Sequence, residues 1–173
     1  MQMSDSRQIN APPAEVWQAI LSPDVLMACV PGCQSMTGSA ESGFEAVVVQ
    51  KVGPVKATFT GIATLSDLIP GQSLRITGEG KSGAAGFAKG GAAVRMEAAN
   101  GGTLLSYDVE AHVGGKLAQL GSRIIDGFAK RMADEFFTRF QDAVEPPEEV
   151  AEDDIQTDGP EPKKKGWFKR LTS

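Results

Sequence analysis

The chain is expected to adopt an α+β fold in which a curved antiparallel sheet wraps around one long C-terminal helix, with two short helices after the first strand. Three features predict this. Apolar residues recur at helical spacing in two brief segments near the start, a long central stretch alternates with period two, and a single helical stripe follows the pair Gly114-Gly115. A single antiparallel sheet with one apolar face must cover that face, and the last helix is the only element long enough to do so.

The elements follow in order. The start, Met1 to Asn10, is polar and holds the first strand. Asn10-Ala11-Pro12-Pro13 then sets up a helix over Ala14 to Leu21, with Val16, Trp17, Ile20 and Leu21 at helical spacing. Ser22-Pro23-Asp24 ends it and caps a second helix through Val25 to Cys29. From about Ser35 to Val113 the period is two. The odd positions of Val55 to Asp67 read Val, Ala, Phe, Gly, Ala, Leu, Asp, against Lys, Thr, Thr, Ile, Thr, Ser between them. Gly53-Pro54, Pro70-Gly71 and Asn100-Gly101-Gly102 separate the runs, so the strands form a meander. Lys116 to Val144 reads as one helix of about 40 Å, with Leu117, Leu120, Ile124, Phe128, Met132, Phe136 and Phe140 along its apolar stripe.

Charge divides the chain into three parts. Residues 1–144 hold twelve basic and fourteen acidic side chains; residues 145–162 hold eight acids and no base; residues 163–173 hold five bases and no acid. A weakly acidic body without a basic stripe argues against nucleic acid as a partner. The acidic segment, with Pro146-Pro147, Gly159-Pro160 and Pro162, is expected to be a disordered linker. The end combines Lys163, Lys164, Lys165, Lys169 and Arg170 with Trp167, Phe168 and Leu171, a pattern suited to docking on an anionic membrane surface. With no secretory signal and no run of about 18 apolar residues, the expected location is cytoplasmic, peripheral on the inner face of the cell membrane. Cys29 and Cys33 make no disulfide framework, which suits a reducing compartment.

The inward face of the sheet is made of unusually small residues: Ala57, Gly61, Ala63, Gly78, Ala88, Gly90, Ala92 and Ala111. Close packing then needs either large partners opposite or a ligand between. Phe128, Met132, Phe136 and Phe140 of the helix could pack directly on the sheet; otherwise the space is an apolar pocket suited to a lipid-like ligand. Its expected wall is Ala57, Phe59, Gly61, Ile76, Gly90, Ala92, Met96, Tyr107 and Val109 on the strands, with Leu120, Ile124, Phe128 and Met132 on the helix. Tyr107 is the one evident polar group, its hydroxyl directed either to a ligand carbonyl or to backbone and water.

Other motifs carry less. Gly78-Glu79-Gly80-Lys81-Ser82-Gly83 matches a dinucleotide-binding pattern, but strand alternation resumes after it and no helix opens, so a Gly-rich hairpin is expected. Cys29-Val30-Pro31-Gly32-Cys33 lacks a second ligand pair at zinc spacing and reads as a structural turn. His112 falls on the outward face with Asp108 and Glu110, and no nucleophile–base constellation is visible; neither a metal nor enzymatic activity is expected.

The segments APPAEVWQAI (11–20), CVPGC (29–33), KVGPVKATFTG (51–61), GEGKSGAAGFAKG (78–90) and VGGKLAQLGSRIIDGFAKRMADEFFTRF (113–140) resemble the CoxG family, the G-type component of carbon monoxide dehydrogenase, within the START-like (SRPBCC) superfamily. The tail is similar to that family's variable linker and Trp/Arg-containing end. The resemblance implies a helix-grip fold over residues 1–144 with an internal apolar cavity. It also implies a partnership with a molybdenum hydroxylase of the carbon monoxide dehydrogenase type, to which the protein would carry an isoprenoid quinone, menaquinone or ubiquinone, from the membrane. The alternative is an anchoring or assembly factor for that dehydrogenase without cargo.

Overall fold

A strand with apolar residues on alternate positions can bury only one side, and seven such strands here share one antiparallel sheet in the order β1-β7-β6-β5-β4-β3-β2. The structure is a computed structural model that describes residues 1–146. Nearly all of the acidic linker and the whole basic-aromatic end lie outside the described residues. The strands are β1 (Gln2–Ile9), β2 (Cys33–Ser39), β3 (Gly43–Val52), β4 (Val55–Ile69), β5 (Ser73–Ser82), β6 (Gly86–Ala99) and β7 (Gly102–Gly114). Between β1 and β2 run α1 (Pro13–Ile20) and α2 (Pro23–Cys29), and after β7 come α3 (Lys116–Gln119) and α4 (Ser122–Val144).

From β2 to β7 the strands form a meander. The turn at Asn100-Gly101 has both residues at positive φ, 52° and 77°, the type I′ geometry whose twist matches paired strands. First and last strands meet through Met3↔Val109 and Asp5↔Tyr107, so β1 completes the wall beside β7. Ser22 caps α2, its hydroxyl accepting from the Val25 N–H at 3.3 Å.

The closing helix differs from the expectation. Instead of one helix from Lys116, a four-residue turn, α3, precedes a break at Leu120-Gly121, and α4 starts at Ser122. Gly121 has φ +89°, a conformation that L side chains avoid, so the helical hydrogen bonding cannot pass through it. At 23 residues α4 is about 34 Å long.

The two ends of the molecule are packed differently. At the end where β1 finishes and β7 begins, Ile9, Val16, Trp17, Leu74, Met96 and Phe140 form a solid core. Polar clamps hold it: the buried Thr103 hydroxyl donates to the Ala11 carbonyl at 2.7 Å, and the Gln141 amide donates to the Gln8 carbonyl at 2.9 Å. At the other end lie the β3–β4 and β5–β6 turns, the end of β7 and the start of α4. The space between helix and sheet is not filled on this side.

Candidate ligand cavity

The sheet presents its inward side through the odd positions of β4 and β7 and the even positions of β5 and β6, and many of these are glycine or alanine. The helix stands off from that thin wall. Between them is a cavity of about 620 Å³, within the range of small-molecule sites. Ala63, Ala88, Ala92 and Ala111 form its thin side, while Ile125, Phe128, Met132, Phe136 and Phe137 enclose it without filling it. Among the described residues, Gln50 and Tyr107 supply the only polar side chains of the lining.

The positions expected from the sequence divide into two groups. Phe59, Ile76, Ala92, Tyr107, Val109, Phe128 and Met132 line the cavity. The other six do not, for separate reasons. Ala57 faces inward by alternation, but at the rim beyond the lining. Gly61 and Gly90 sit where the neighbouring strand comes close, and a Cβ on Gly61 would meet the Glu79 carbonyl oxygen at 3.3 Å. A Cβ on Gly90 would overlap the Glu110 carbonyl oxygen, so this glycine lets β6 and β7 approach closely rather than widening a pocket. Met96 is buried in the solid core at the opposite end.

Leu120 precedes α4, and Ile124 is 39% exposed. Both lie against the β3–β4 turn, where a Cβ on Gly53 would meet Ile124 Cγ2 at 3.4 Å and Leu120 Cδ1 at 4.0 Å. The discrepancy has a geometric origin. A run of i+4 steps advances 400° each time and drifts 40° around the helix, so the series from Ile124 to Phe140 does not stay on one face. The cavity side follows mixed steps of three and four: Ile125, Phe128, Ala129, Met132, Ala133, Phe136 and Phe137.

β1 contributes residues that the sequence does not reveal. Met3 enters the wall beside Val109, and Arg7, outside the lining itself, turns toward the Phe137 ring. The Arg7 guanidinium lies 5.2 Å from the Phe137 ring centroid and donates to Asp134. Tyr107 stacks on the same Phe137 ring, centroids 5.1 Å apart and planes 15° off parallel. Burial works against the Arg7 charge, yet contacts with Asp134 and Tyr107 outweigh it and hold its pKa above the ordinary value. The same Arg7 bond, with help from Lys130, holds the Asp134 carboxyl below the usual carboxylate range. Arg7 Nε is buried with no hydrogen-bond partner among the described residues, next to the cavity's one tyrosine. The signal that could have shown β1's share of the wall is the alternation Met3, Asp5, Arg7, Ile9, disguised by its two charged members.

The Cys29–Cys33 segment forms a tight turn between α2 and β2. Gly32 has φ +77°, and a Cβ there would overlap the Val49 carbonyl oxygen. The Gln50 amide donates to the Pro31 carbonyl, so this turn fixes one of the cavity's two polar side chains. Burial pushes both thiols up, more than the Arg139 charge lowers Cys29 or the Ser35 backbone lowers Cys33. Gly78 to Ser82 belong to β5, and a short 3₁₀ turn at Gly83–Ala85 leads into β6. Outside, Asp108 accepts from Ser4 at 2.6 Å and Arg95 at 2.8 Å, which lowers its pKa. Among the described residues no helix is long and apolar enough to cross a membrane.

With the cavity defined, comparison with known proteins places the chain. A family model for CoxG, the G component of carbon monoxide dehydrogenase, matches residues 6–145. The chain belongs to the CoxG family. The match spans all the strands and helices except the first residues of β1, so the family assignment and the cavity concern the same domain. Among solved structures, a conserved protein from Geobacillus kaustophilus is similar at 27% identity and TM-score 0.78, over 83% of this chain and 95% of that one. A protein from Rhizobium leguminosarum shares 17% identity at TM-score 0.62, over 82% of this chain and 91% of that one. Ara h 8.0201 shares 14% identity at TM-score 0.59, over 83% and 97%. The last two share the fold alone, the helix-grip arrangement of START-like proteins. No curated protein matches.

Proposed function

We propose that this CoxG-family protein is a non-catalytic carrier that takes an isoprenoid quinone from the membrane and presents it to a carbon monoxide dehydrogenase-type molybdenum hydroxylase. The observation that carries the proposal is the cavity: about 620 Å³, walled by aliphatic and aromatic side chains, with Tyr107 and Gln50 its only polar side chains among the described residues. Such a space is poor for water and suited to a prenyl chain, whose burial is favourable in proportion to the apolar area removed from water. A quinone carbonyl is an acceptor only, and the Tyr107 hydroxyl is a donor for it. Menaquinone and ubiquinone both fit this description. The residues Lys163 to Leu171 are proposed as a membrane anchor, and the acidic segment before them as the tether.

The chemistry defines the test. Carbon monoxide and water give carbon dioxide, two protons and two electrons, and a quinone takes up both to become a quinol. Full-length protein loaded with menaquinone or ubiquinone, freed of vesicles and detergent, is mixed with the dehydrogenase and carbon monoxide. The carrier reading expects the bound quinone to be reduced in proportion to the amount of loaded protein. Failure to load, or bound quinone that stays oxidised beside an active dehydrogenase, favours the anchoring or assembly role.

A further inference from the structure

In an antiparallel meander alternate turns lie at the same end, and here the sequence places opposite charges at the two ends. The end that holds the β3–β4 turn, the β5–β6 turn and the α3–α4 segment comprises residues 51–56, 81–87 and 114–124. These stretches contain Lys51, Lys56, Lys81, Lys116 and Arg123, all exposed, and no acidic residue. Their adjacency is direct: Gly53 lies against Ile124 and Leu120, and Gly115 against Ala85 and Gly86. The opposite end, residues 40–42, 66–72, 97–101 and 141–146, contains Glu41, Asp67, Glu97, Asp142 and Glu145, and no basic residue. The folded domain is therefore strongly dipolar, although its net charge is small.

The basic end is also the end toward which the cavity extends. Val52, Ala88, Val113, Leu117 and Ile125 line the cavity and adjoin these same turns, whereas the acidic end is closed by the Trp17–Phe140 core. Large apolar side chains are exposed at both ends, Leu68 and Ile69 at the acidic one, but only Phe87 at 38% and Ile124 at 39% stand among bases. Bases surrounding exposed apolar groups match an anionic lipid surface, which offers charge at the headgroups and hydrocarbon just below. An acidic protein patch would match the charge but not the apolar centre.

We propose that the basic end of the folded domain, formed by Lys51, Lys56, Lys81, Lys116 and Arg123 around Phe87 and Ile124, docks on an anionic bilayer with the cavity directed at the membrane. This surface is separate from the C-terminal anchor: one keeps the protein near the bilayer, the other orients the cavity against it. The positive N-terminal end of α4 points the same way and adds to the attraction. Ile124 and Leu120, held against Gly53 beside the Gly121 break, are the side chains a ligand would pass.

Docking itself does not depend on which ligand is carried; ligand transfer rests on the carrier reading, and the test separates the two. The full-length chain is used with its tail bases neutralised (K163Q/K164Q/K165Q/K169Q/R170Q), so that the remaining binding reports on the domain. Onto it are placed K51Q/K116Q/R123Q, or, as a control that removes the same number of charges, of opposite sign, at the other end, E41Q/D67N/E97Q. Binding to phosphatidylcholine vesicles containing phosphatidylserine is measured against salt, together with the rate of menaquinone uptake from those vesicles and from detergent. At about fivefold per base, removing three bases should weaken vesicle binding on the order of a hundredfold and abolish most of its salt dependence. Uptake from vesicles should slow in step, while uptake from detergent and the melting temperature stay unchanged. The acidic-end control should not weaken binding. Vesicle binding and transfer unaffected by K51Q/K116Q/R123Q would overturn the docking surface and leave the basic end to an acidic protein. Loss of detergent uptake in the parent chain would instead refute the carrier reading, without bearing on vesicle binding.

Discussion

Replacing Ala92 with Trp should remove ligand binding and leave the protein folded. Ala92 lies on β6, opposite Ile76 on one side and Val109 on the other, and all three line the cavity. An indole there enters unoccupied volume instead of displacing packed neighbours. In a filled core such overpacking costs about 1 to 3 kcal/mol. Here the loss of stability should stay below about 1 kcal/mol, while affinity for a quinone should fall on the order of a hundredfold, about 2.7 kcal/mol. Ala92→Phe should act in the same direction but less. Both quantities are measurable on one preparation, by urea unfolding and by quenching of intrinsic fluorescence on titration. A large loss of stability with unchanged ligand affinity would mean that the ligand sits elsewhere.

The opposite outcome is expected at the other end of the same cavity helix. Phe140 is fully buried, with its ring 5.7 Å from that of Phe136 and 6.3 Å from that of Phe137, in the core that includes Trp17 and Ile9. Phe140→Ala should destabilise by about 3 to 5 kcal/mol, the transfer cost of the ring plus that of the hole it leaves. For a domain of this size that lowers the melting temperature by roughly 10 to 15 °C. Any effect on ligand affinity should be small at temperatures where the variant is folded. Calorimetry checks the first claim and titration the second. The pair of substitutions separates a half of the molecule that is close-packed from a half that is not.

The sheet is readable in the sequence because each strand has one wet side. In β4 the exposed Thr58, Thr60 and Thr64 alternate with Phe59, Gly61 and Ala63, and a period of two leaves no doubt about direction. Small residues on that inward side announce a thin wall. Alternation gives direction but not depth, so Met96 and Ala92, both inward on β6, cannot be distinguished as core and cavity. That distinction depends on how far α4 stands from each stretch of sheet.

Helical periodicity fails for a related reason. A series of i+4 steps looks like a stripe in one dimension but turns away in three, which is why the pattern selects Ile124 over Ile125. The break at Gly121 is hidden because Leu117 and Leu120 continue the apparent stripe through it. The inward face of β1 is obscured because Asp5 and Arg7 occupy alternate positions where apolar residues are expected; Arg7 is tolerated there by its bond to Asp134 and its place over Phe137. The expected anchor, Lys163 to Leu171, lies outside the described residues.

On the carrier reading, the space between sheet and helix holds a long apolar ligand. The most direct measurement is a solvent extract of the purified full-length protein, analysed by mass spectrometry after expression in cells that make isoprenoid quinones. The expected result is a prenylated quinone or another long-chain lipid at close to one per chain, and its loss from the Ala92→Trp protein prepared in parallel. Repeated absence of any lipid, together with no uptake of added menaquinone or ubiquinone, would contradict it.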